Sequence, residues 1–202
     1  MPVTDMEQLK SLYGDVHPLA EQKAIDHLDQ VCRGFIAASP FFLLSTSDGT
    51  NLDISPKGDP AGSVIVEEDG RALLLADRPG NNRIDGLQNI LRHPNVGLIF
   101  LIPGVRETLR VMGRATIHDE PEMLDRCLMH GRRPITVTRV TVDQAYLHCA
   151  KALIRSKLWD PESWPSERPV PSMMKMIGAH VGRDLPDESQ EDMEKRYQPM
   201  LY

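Results

Sequence analysis

The sequence predicts a mainly β protein in which short antiparallel strands form a barrel or a sandwich, with helices at its margins. Runs of apolar or alternating residues, each of strand length, recur at short intervals through the middle of the chain. Asp-Gly pairs at 48–49 and 69–70 separate neighbouring runs and are typical of hairpin turns. The length of 202 residues and the hydrophobic content of 41% suit one globular domain with a small appendage.

The first predicted element is a helix over residues 19–38, because apolar residues trace one helical face there. This helix is expected to lie across the sheet. Six predicted strands follow, interrupted by one helix, and another β-rich run comes later in the chain. The predicted strands cover residues 41–46, 52–57, 63–67, 71–76, 96–102, 108–118 and 135–146.

Helical spacing predicts a second helix over residues 82–92, and it should end at His93 because Pro94 disfavours helical geometry in the preceding residue. Further helices are predicted over 120–130 and 148–159. The chain beyond them is rich in proline and then in methionine, which favours an arm or a peripheral helix over another domain. The predicted organisation is an N-terminal helical segment (1–38) packed on the β domain, the β domain itself (39–160) and a C-terminal arm or helical tail (161–202).

Charge and cysteine content argue against several classes of protein. A formal net charge of −6 and a pI near 5.6 disfavour nucleic acid as the main partner. Cys32, Cys127 and Cys149 are odd in number and form no Cys-x-x-Cys pair, so neither a disulfide framework nor a metal site is predicted. The sequence has no leader pattern, and its longest apolar run, 96–102, is too short to span a bilayer. We therefore expect a cytoplasmic protein that does not enter membranes.

The turn at residues 77–83 is the strongest candidate for a binding site. It lies between a strand-like run and a helix-like run. The free backbone N–H groups at the start of that helix would therefore lie at the positive end of the helix dipole. Arginine and asparagine side chains surround a Pro-Gly pair in this turn, which favours an anionic ligand such as a phosphate. The candidate residues are Asp77, Arg78, Asn81, Asn82 and Arg83.

Two predicted strands carry polar residues along one face. Ser55 and Lys57 share a face in the second strand, and Thr108 and Arg110 share a face in the sixth. Either face taken alone could simply be solvated. Their recurrence on two strands favours a ligand site.

The predicted helix over 148–159 places three further residues at intervals of four. Lys151, Arg155 and Trp159 would then share a face, where two like charges repel mildly. An anionic partner would relieve this repulsion, and the indole could cover a ring system. A solvated basic face with a packed tryptophan is the alternative.

These motifs together resemble the split-barrel flavoproteins of the pyridoxamine 5'-phosphate oxidase-like group, and the chain is most similar to a bacterial branch of FMN-dependent proteins of unknown activity. The resemblance implies a six-stranded antiparallel split barrel, a homodimer and two FMN molecules at the subunit interface. The motifs that carry it, in order, are FFLLST (41–46), DISPKGD (53–59), DRPGNNR (77–83), FLIPG (100–104), ETLRVMGR (107–114), HCAKA (148–152) and Trp159.

The resemblance also implies roles for the candidate residues. Residues 77–83 match the loop that binds the FMN phosphate, with Asn82 and Arg83 where the oxidases have two adjacent basic residues. Arg78 would replace the missing charge. The remaining candidates would contact the flavin: Ser55, Lys57, Thr108 and Arg110 from strands, and Lys151, Arg155 and Trp159 from the partner subunit.

Two departures from the oxidase pattern bear on the substrate. Leu52 stands where the oxidases have an arginine on the phosphate, and the usual Arg-Leu-x-Pro ending is replaced by residues 196–202. The resemblance therefore implies an FMN-dependent oxidoreductase that acts on a small molecule other than pyridoxamine phosphate. A flavin protein that transfers or senses electrons without a substrate is the alternative, and a third hypothesis is a barrel that binds haem or another anion.

Overall fold

A computed structural model describes residues 2–201, and its centre is one antiparallel sheet of seven strands in the order β2-β1-β5-β6-β7-β4-β3. The prediction of a mainly β fold with flanking helices is confirmed. All neighbouring strands pair antiparallel, and both Asp-Gly turns join paired strands as predicted. The strands are β1 (Phe41–Ser47), β2 (Leu52–Gly58), β3 (Ile65–Val66), β4 (Ala72–Asp77), β5 (Asn95–Leu101), β6 (Thr108–His118) and β7 (Thr136–His148).

The prediction of one helix over residues 19–38 is wrong. The segment contains a short helix and a longer one, separated by non-helical residues that include a turn, two bends and one β-bridge residue. Ile25 makes a two-way backbone bridge with Ala145, with N···O distances of 2.9 and 2.7 Å. The Leu28 N–H donates to the carbonyl of Gly70 at 2.8 Å. The N-terminal helices are α1 (Met6–Ser11), α2 (Pro18–Gln22) and α3 (Gln30–Ala38).

The later helices are shorter than the sequence predicts. The helix after β4 begins at Asp85 rather than at Asn82, but it ends before His93 as expected. The helix predicted over 148–159 covers only six residues. These helices are α4 (Asp85–Arg92), α5 (Pro121–Arg126), α6 (Lys151–Ser156), α7 (Met173–Val181) and α8 (Gln190–Tyr197), with 3-10 turns at Pro161–Ser163 and Gln198–Met200.

The main core lies on the inner face of the sheet. The rings of Phe42 and Phe100 are 5.1 Å apart at its centre. Cys32 and Ile36 of α3 and Ile90 of α4 pack against the same core, so both helices lie on this face. Burial of these apolar side chains supplies most of the stability of such a fold. A smaller cluster under α5, on the opposite face, consists of Leu74, Cys127 and Val137.

The sheet is strongly curled. Five strand-to-strand steps separate β2 from β4, which would place them about 24 Å apart in a flat sheet at roughly 4.8 Å per step. Yet Lys57 Nζ on β2 lies 2.7 Å from Asp77 Oδ1 on β4. Side chains therefore bridge the gap, whereas no main-chain pairing closes the sheet within residues 2–201. The sheet has seven strands rather than the six that the resemblance implied, and β3 is only two residues long.

The N-terminal cap of α3 provides a test of how this helix is anchored. Asp29 Oδ1 accepts a 2.8 Å hydrogen bond from the Cys32 N–H, and this bond lowers the pKa of Asp29 from its ordinary 3.8. We expect Asp29→Ala to lower the free energy of unfolding by about 1 kcal/mol. Because the folded pKa is depressed, the cap stabilises the fold above the unfolded pKa and the contribution is lost as pH falls through the folded value.

Urea denaturation of both proteins, at neutral pH and below pH 3.8, measures this contribution. The difference between wild type and Asp29→Ala should shrink at the lower pH. Asp5→Ala is the matched control, because Asp5 caps α1 with the same 2.8 Å geometry but α1 buries no residue. An equal loss of stability in both variants would contradict the prediction.

Candidate functional site

A small cleft lies where β2 approaches β4 at the open side of the sheet. Its cavity volume is about 180 Å³, and Lys57, Asp77 and Arg78 are among the residues that line it. Lys57 is bound to Asp77, as described above. Arg78 Nε lies 2.9 Å from Asp59 Oδ2, and its Nη1 donates to the carbonyl of Cys127 at 3.0 Å. The structure therefore brings three predicted site residues together, but with their charges already neutralised.

Arg78 is held in the framework of the protein. Its side chain is 14% exposed and that of Asp59 is 13% exposed. Removing a partner from such a pair leaves a poorly solvated charge, so Arg78 is not free to move toward a ligand. Its predicted role in replacing a missing phosphate ligand remains a prediction, and the geometry does not favour it.

The turn that follows β4 has a defined backbone. Asn81 Oδ1 accepts a hydrogen bond from the Arg83 N–H at 3.0 Å. Asn82 has a φ of 59°, in the left-handed region that asparagine tolerates better than most residues. The Arg83 side chain is 79% exposed and pairs with Asp85 at 2.6 Å. An exposed ion pair of this kind is weak, so the guanidinium can exchange Asp85 for another anion.

The first turn of α4 lies against the inner face of β2. The N-cap residue, Ile84, has no side-chain acceptor. The first backbone N–H groups of α4 therefore receive no capping hydrogen bond from it. A Cβ on Gly86 would lie 3.3 Å from Asp53 Oδ2 and 3.7 Å from Ser55 Oγ. The structure thus brings Ser55 to the start of the helix that follows the candidate loop. The Ser55 hydroxyl donates to Asp53 at 2.9 Å, and this carboxylate keeps the inner side of the site partly negative.

A second group of polar residues lies on the outer face of the sheet. Arg110 on β6 stands opposite Tyr146 on β7, with its guanidinium carbon 5.3 Å from the ring centroid. Lys23 Nζ is also 5.3 Å from this centroid. Neither cation has a salt bridge in the described part of the chain. Thr108 is two residues from Arg110 on the same face, opposite His148.

Sequence reasoning missed Lys23 and Tyr146. Tyr146 meets Arg110 only because β6 and β7 pair in a register that includes an irregularity between Met112 and Gly113. Lys23 follows α2 in the segment predicted as one long helix. No local pattern distinguishes either residue, so only the tertiary structure reveals them.

The prediction that Lys151, Arg155 and Trp159 share a helical face is wrong for Trp159. Helix α6 ends at Ser156, and Lys157 has a left-handed backbone with a φ of 52°. Trp159 therefore lies in the following loop, while Lys151 and Arg155 remain four residues apart on the helix. A contact of these three residues with a partner subunit's ligand remains a prediction.

The candidate residues thus fall into separate groups. The turn at 77–83 and the inner face of β2 lie together, whereas Thr108 and Arg110 lie on the outer face. Within residues 2–201, no three His, Cys, Asp or Glu side chains are placed to hold a metal ion. The helices in this range are all too short or too polar to cross a bilayer.

Several solved structures are similar to about three fifths of this chain. HupZ from Group A Streptococcus is 19% identical, with a TM-score of 0.46, and the match covers 58% of this chain and 90% of that one. General Stress Protein 26 from Bacillus anthracis is 18% identical, with a TM-score of 0.40 and coverage of 57% and 88%. A Clostridium acetobutylicum protein of the pyridoxinephosphate oxidase family is 12% identical, with a TM-score of 0.43 and coverage of 57% and 84%.

The sequence itself assigns the family. A comparison with curated proteins gave no match. The family model described as Pyridoxamine 5'-phosphate oxidase matches residues 28–149, which is more than half of the chain and includes every element from α3 through β7. The predicted resemblance is therefore confirmed, and the chain belongs to the pyridoxamine 5'-phosphate oxidase family.

Proposed function

We propose that this protein binds FMN and is an oxidoreductase that acts on a small molecule other than pyridoxamine phosphate. Bound FMN would supply hydride or electron transfer through its N5 atom. The chain's own residues bind the phosphate, orient the ring and set the charge around it. Membership of the family supports the cofactor, and the departures at Leu52 and at the C-terminal end support a different substrate.

The observation that carries the proposal is the geometry after β4. A turn with Asn82 in the left-handed region leads into the uncapped start of α4, where successive N–H groups can bind an anion. Arg83 is exposed next to these groups and can replace its surface contact with Asp85 by a charge-assisted bond to phosphate. These features fit the phosphate of FMN.

Lys57 and Arg110 are the two candidates for a cation near the flavin ring, Lys57 from the cleft beside the phosphate loop and Arg110 from the outer face of the sheet. Lys57 is held by Asp77 and faces inward, whereas Arg110 has no carboxylate partner among the described residues and lies on the outer face. A cation there would favour the reduced, anionic state of the ring. Thr108 lies on the same face and would add a polar contact.

The second subunit of the proposed dimer would cover the outer face of β2. Along this strand Asp53, Ser55 and Lys57 face inward, whereas Leu52 and Ile54 are 77% and 63% exposed. Apolar side chains that line an exposed strand favour burial against a partner. We therefore propose a homodimer of split barrels with FMN at the interface, in which the curled sheet forms each barrel.

Titration with FMN tests the proposal directly. The protein should bind one FMN per chain and elute as a dimer in size-exclusion chromatography. Replacing Arg110 with alanine should weaken the binding of reduced FMN about tenfold relative to oxidised FMN, which lowers the two-electron potential by about 30 mV. Arg114→Ala is the matched control, since Arg114 is on the same face of β6 but pairs with Asp143.

The possible outcomes separate the candidate functions. Absence of FMN binding would overturn the proposal. Binding followed by reduction with NADH or NADPH and reoxidation by a small molecule supports the enzyme. Binding without turnover by any reductant would favour a protein that only stores or senses electrons. Equal two-electron potentials of bound FMN in wild type and Arg110→Ala would show that Arg110 does not lie near the flavin ring.

A further inference from the structure

Helix α4 is anchored to the sheet by a buried polar contact. Asn89 Nδ2 donates to Thr46 Oγ1 on β1 at 3.2 Å, and both side chains are buried. Such a bond is costly to break, because its two groups would lose their partner without gaining water. Gly86 lies three residues earlier on the same side of the helix, where a Cβ would be 3.6 Å from the same hydroxyl oxygen. The first turn of α4 is therefore held close to the sheet.

The carboxylate of Asp53 lies against this first turn. A Cβ on Gly86, the second residue of α4, would be 3.3 Å from Asp53 Oδ2, so the missing side chain leaves room for the carboxylate. The Ser55 hydroxyl donates to the same oxygen at 2.9 Å and fixes its orientation. Asp53 is half-buried on the inner face of β2. A negative charge is thus held beside the N-terminal end of α4.

Asp53 does not cap the helix that it approaches. Within residues 2–201, no backbone N–H donates to its carboxylate, and no arginine or lysine forms a salt bridge with it. The uncapped N–H groups of the first turn and the carboxylate therefore lie close together without satisfying each other. An anion bound at these N–H groups would lie near a fixed negative charge.

The charges around the first turn of α4 do not favour a doubly charged ligand. The hydrogen bond from Arg83 to Asp85 raises the pKa of Arg83, and the negative charge of Asp53 adds to this effect, so the three side chains are within electrostatic range of one another. One cation and two carboxylates carry a net charge of −1. The helix dipole offsets only about half a unit of charge. A phosphate monoester, with a charge of about −2 near neutral pH, is therefore opposed by Asp53.

We propose that Asp53 is a specificity-determining residue that limits the affinity of the candidate phosphate site for a dianion. In the proposed function, on which this inference rests, residues 77–83 and the start of α4 bind the FMN phosphate. Arg83 and the helix N–H groups attract the phosphate, whereas Asp53 opposes it. The phosphate then adds less to flavin affinity than its donors alone would give, and FMN is bound as an exchangeable cofactor.

Riboflavin is the probe that separates the phosphate from the ring, because it carries the same ring system without a phosphate. Asp53→Asn keeps the shape of the side chain and an acceptor for Ser55 but removes the charge. We expect the ratio of the riboflavin and FMN dissociation constants to rise about tenfold in this variant, in favour of FMN. Fluorescence titration of both flavins against the full-length proteins measures this ratio.

Two further variants control for charge and shape. Asp53→Glu keeps a carboxylate and should not raise the ratio. Asp15→Asn removes one negative charge from an exposed residue between α1 and α2 and should leave the ratio unchanged. The gain in Asp53→Asn should also shrink at high salt, because ions screen a charge that is partly exposed. Thermal melts without ligand check folding, and Asp53→Ser replaces Asp53→Asn if the latter is unfolded.

Three results would overturn the inference. They are an unchanged or lower ratio in Asp53→Asn, an equal gain of affinity for FMN and riboflavin, and a gain of the same size in Asp15→Asn. Absence of flavin binding in the wild type would overturn the proposed function and this inference with it. FMN binding in the wild type with an unchanged ratio in Asp53→Asn contradicts the inference alone, so the two failures are distinguishable.

Discussion

Replacing Arg83 with alanine is expected to weaken FMN binding at least tenfold. Arg83 is the exposed cation next to the uncapped start of α4, and a charge-assisted hydrogen bond to phosphate contributes about 1.5–3 kcal/mol. Arg78 cannot compensate, because Asp59 and the carbonyl of Cys127 hold its guanidinium. Fluorescence titration of FMN against both proteins measures the ratio of dissociation constants.

Arg92→Ala is the matched control for this experiment. Arg92 lies in the last turn of the same helix, where it faces the negative end of the helix dipole rather than a bound phosphate. Its loss should leave FMN affinity unchanged. If Arg83→Ala keeps the full FMN affinity of the wild type, the assignment of residues 77–83 as the phosphate loop is wrong.

Replacing Gly113 with alanine is expected to destabilise the protein by about 3 kcal/mol, because the extra methyl group overpacks a site closed by backbone. A Cβ at this position would collide with the backbone carbonyl oxygen of Thr141 and would lie 3.1 Å from Val140 Cγ1. Gly113 is at the irregularity in the β6–β7 register, where β7 has one extra residue, Asp143. Neither strand can shift without breaking the pairing on its other side.

Chemical denaturation of Gly113→Ala and Gly97→Ala gives a direct comparison. Gly97 is also inside a strand, but a Cβ there would have no atom within 4 Å. Its replacement should be neutral or stabilise the fold by up to about 1 kcal/mol, because alanine restricts the unfolded chain. Similar denaturation midpoints for the two variants would contradict the prediction. They would show that the protein relieves the contact between a Cβ at position 113 and the Thr141 carbonyl at little cost in stability.

The strands could be predicted because their signals are local. Asp48-Gly49 and Asp69-Gly70 need only their flanking residues to form hairpins, and Pro94 ends α4 through its immediate neighbour. The break in the predicted helix over 19–38 has a distant cause. Ile25 pairs with Ala145, which lies 120 residues away, and no pattern near Ile25 contains that information.

The placement of the candidate site residues was predictable in part for the same reason. The polar turn at 77–83 and the polar face of β2 are visible in sequence, and the fold brings Ser55 to the start of α4. Which of these charged side chains remain unpaired and able to bind a ligand depends on the tertiary structure. Asp77 neutralises Lys57 and Asp59 neutralises Arg78 because the sheet curls, whereas Arg110 meets Tyr146 through strand register.

The curl of the sheet also brings β2 and β4 together without pairing them. Two ion pairs, Lys57–Asp77 and Arg78–Asp59, cross between the β2 and β4 sides of the gap, and within residues 2–201 no ladder of backbone hydrogen bonds joins these strands. Ion pairs depend on salt and on geometry, whereas β-ladders break cooperatively. We therefore expect the sheet to open at this gap more readily than between β6 and β7. Because the turn at 77–83 begins at the end of β4, opening of the gap would move one end of the candidate phosphate loop.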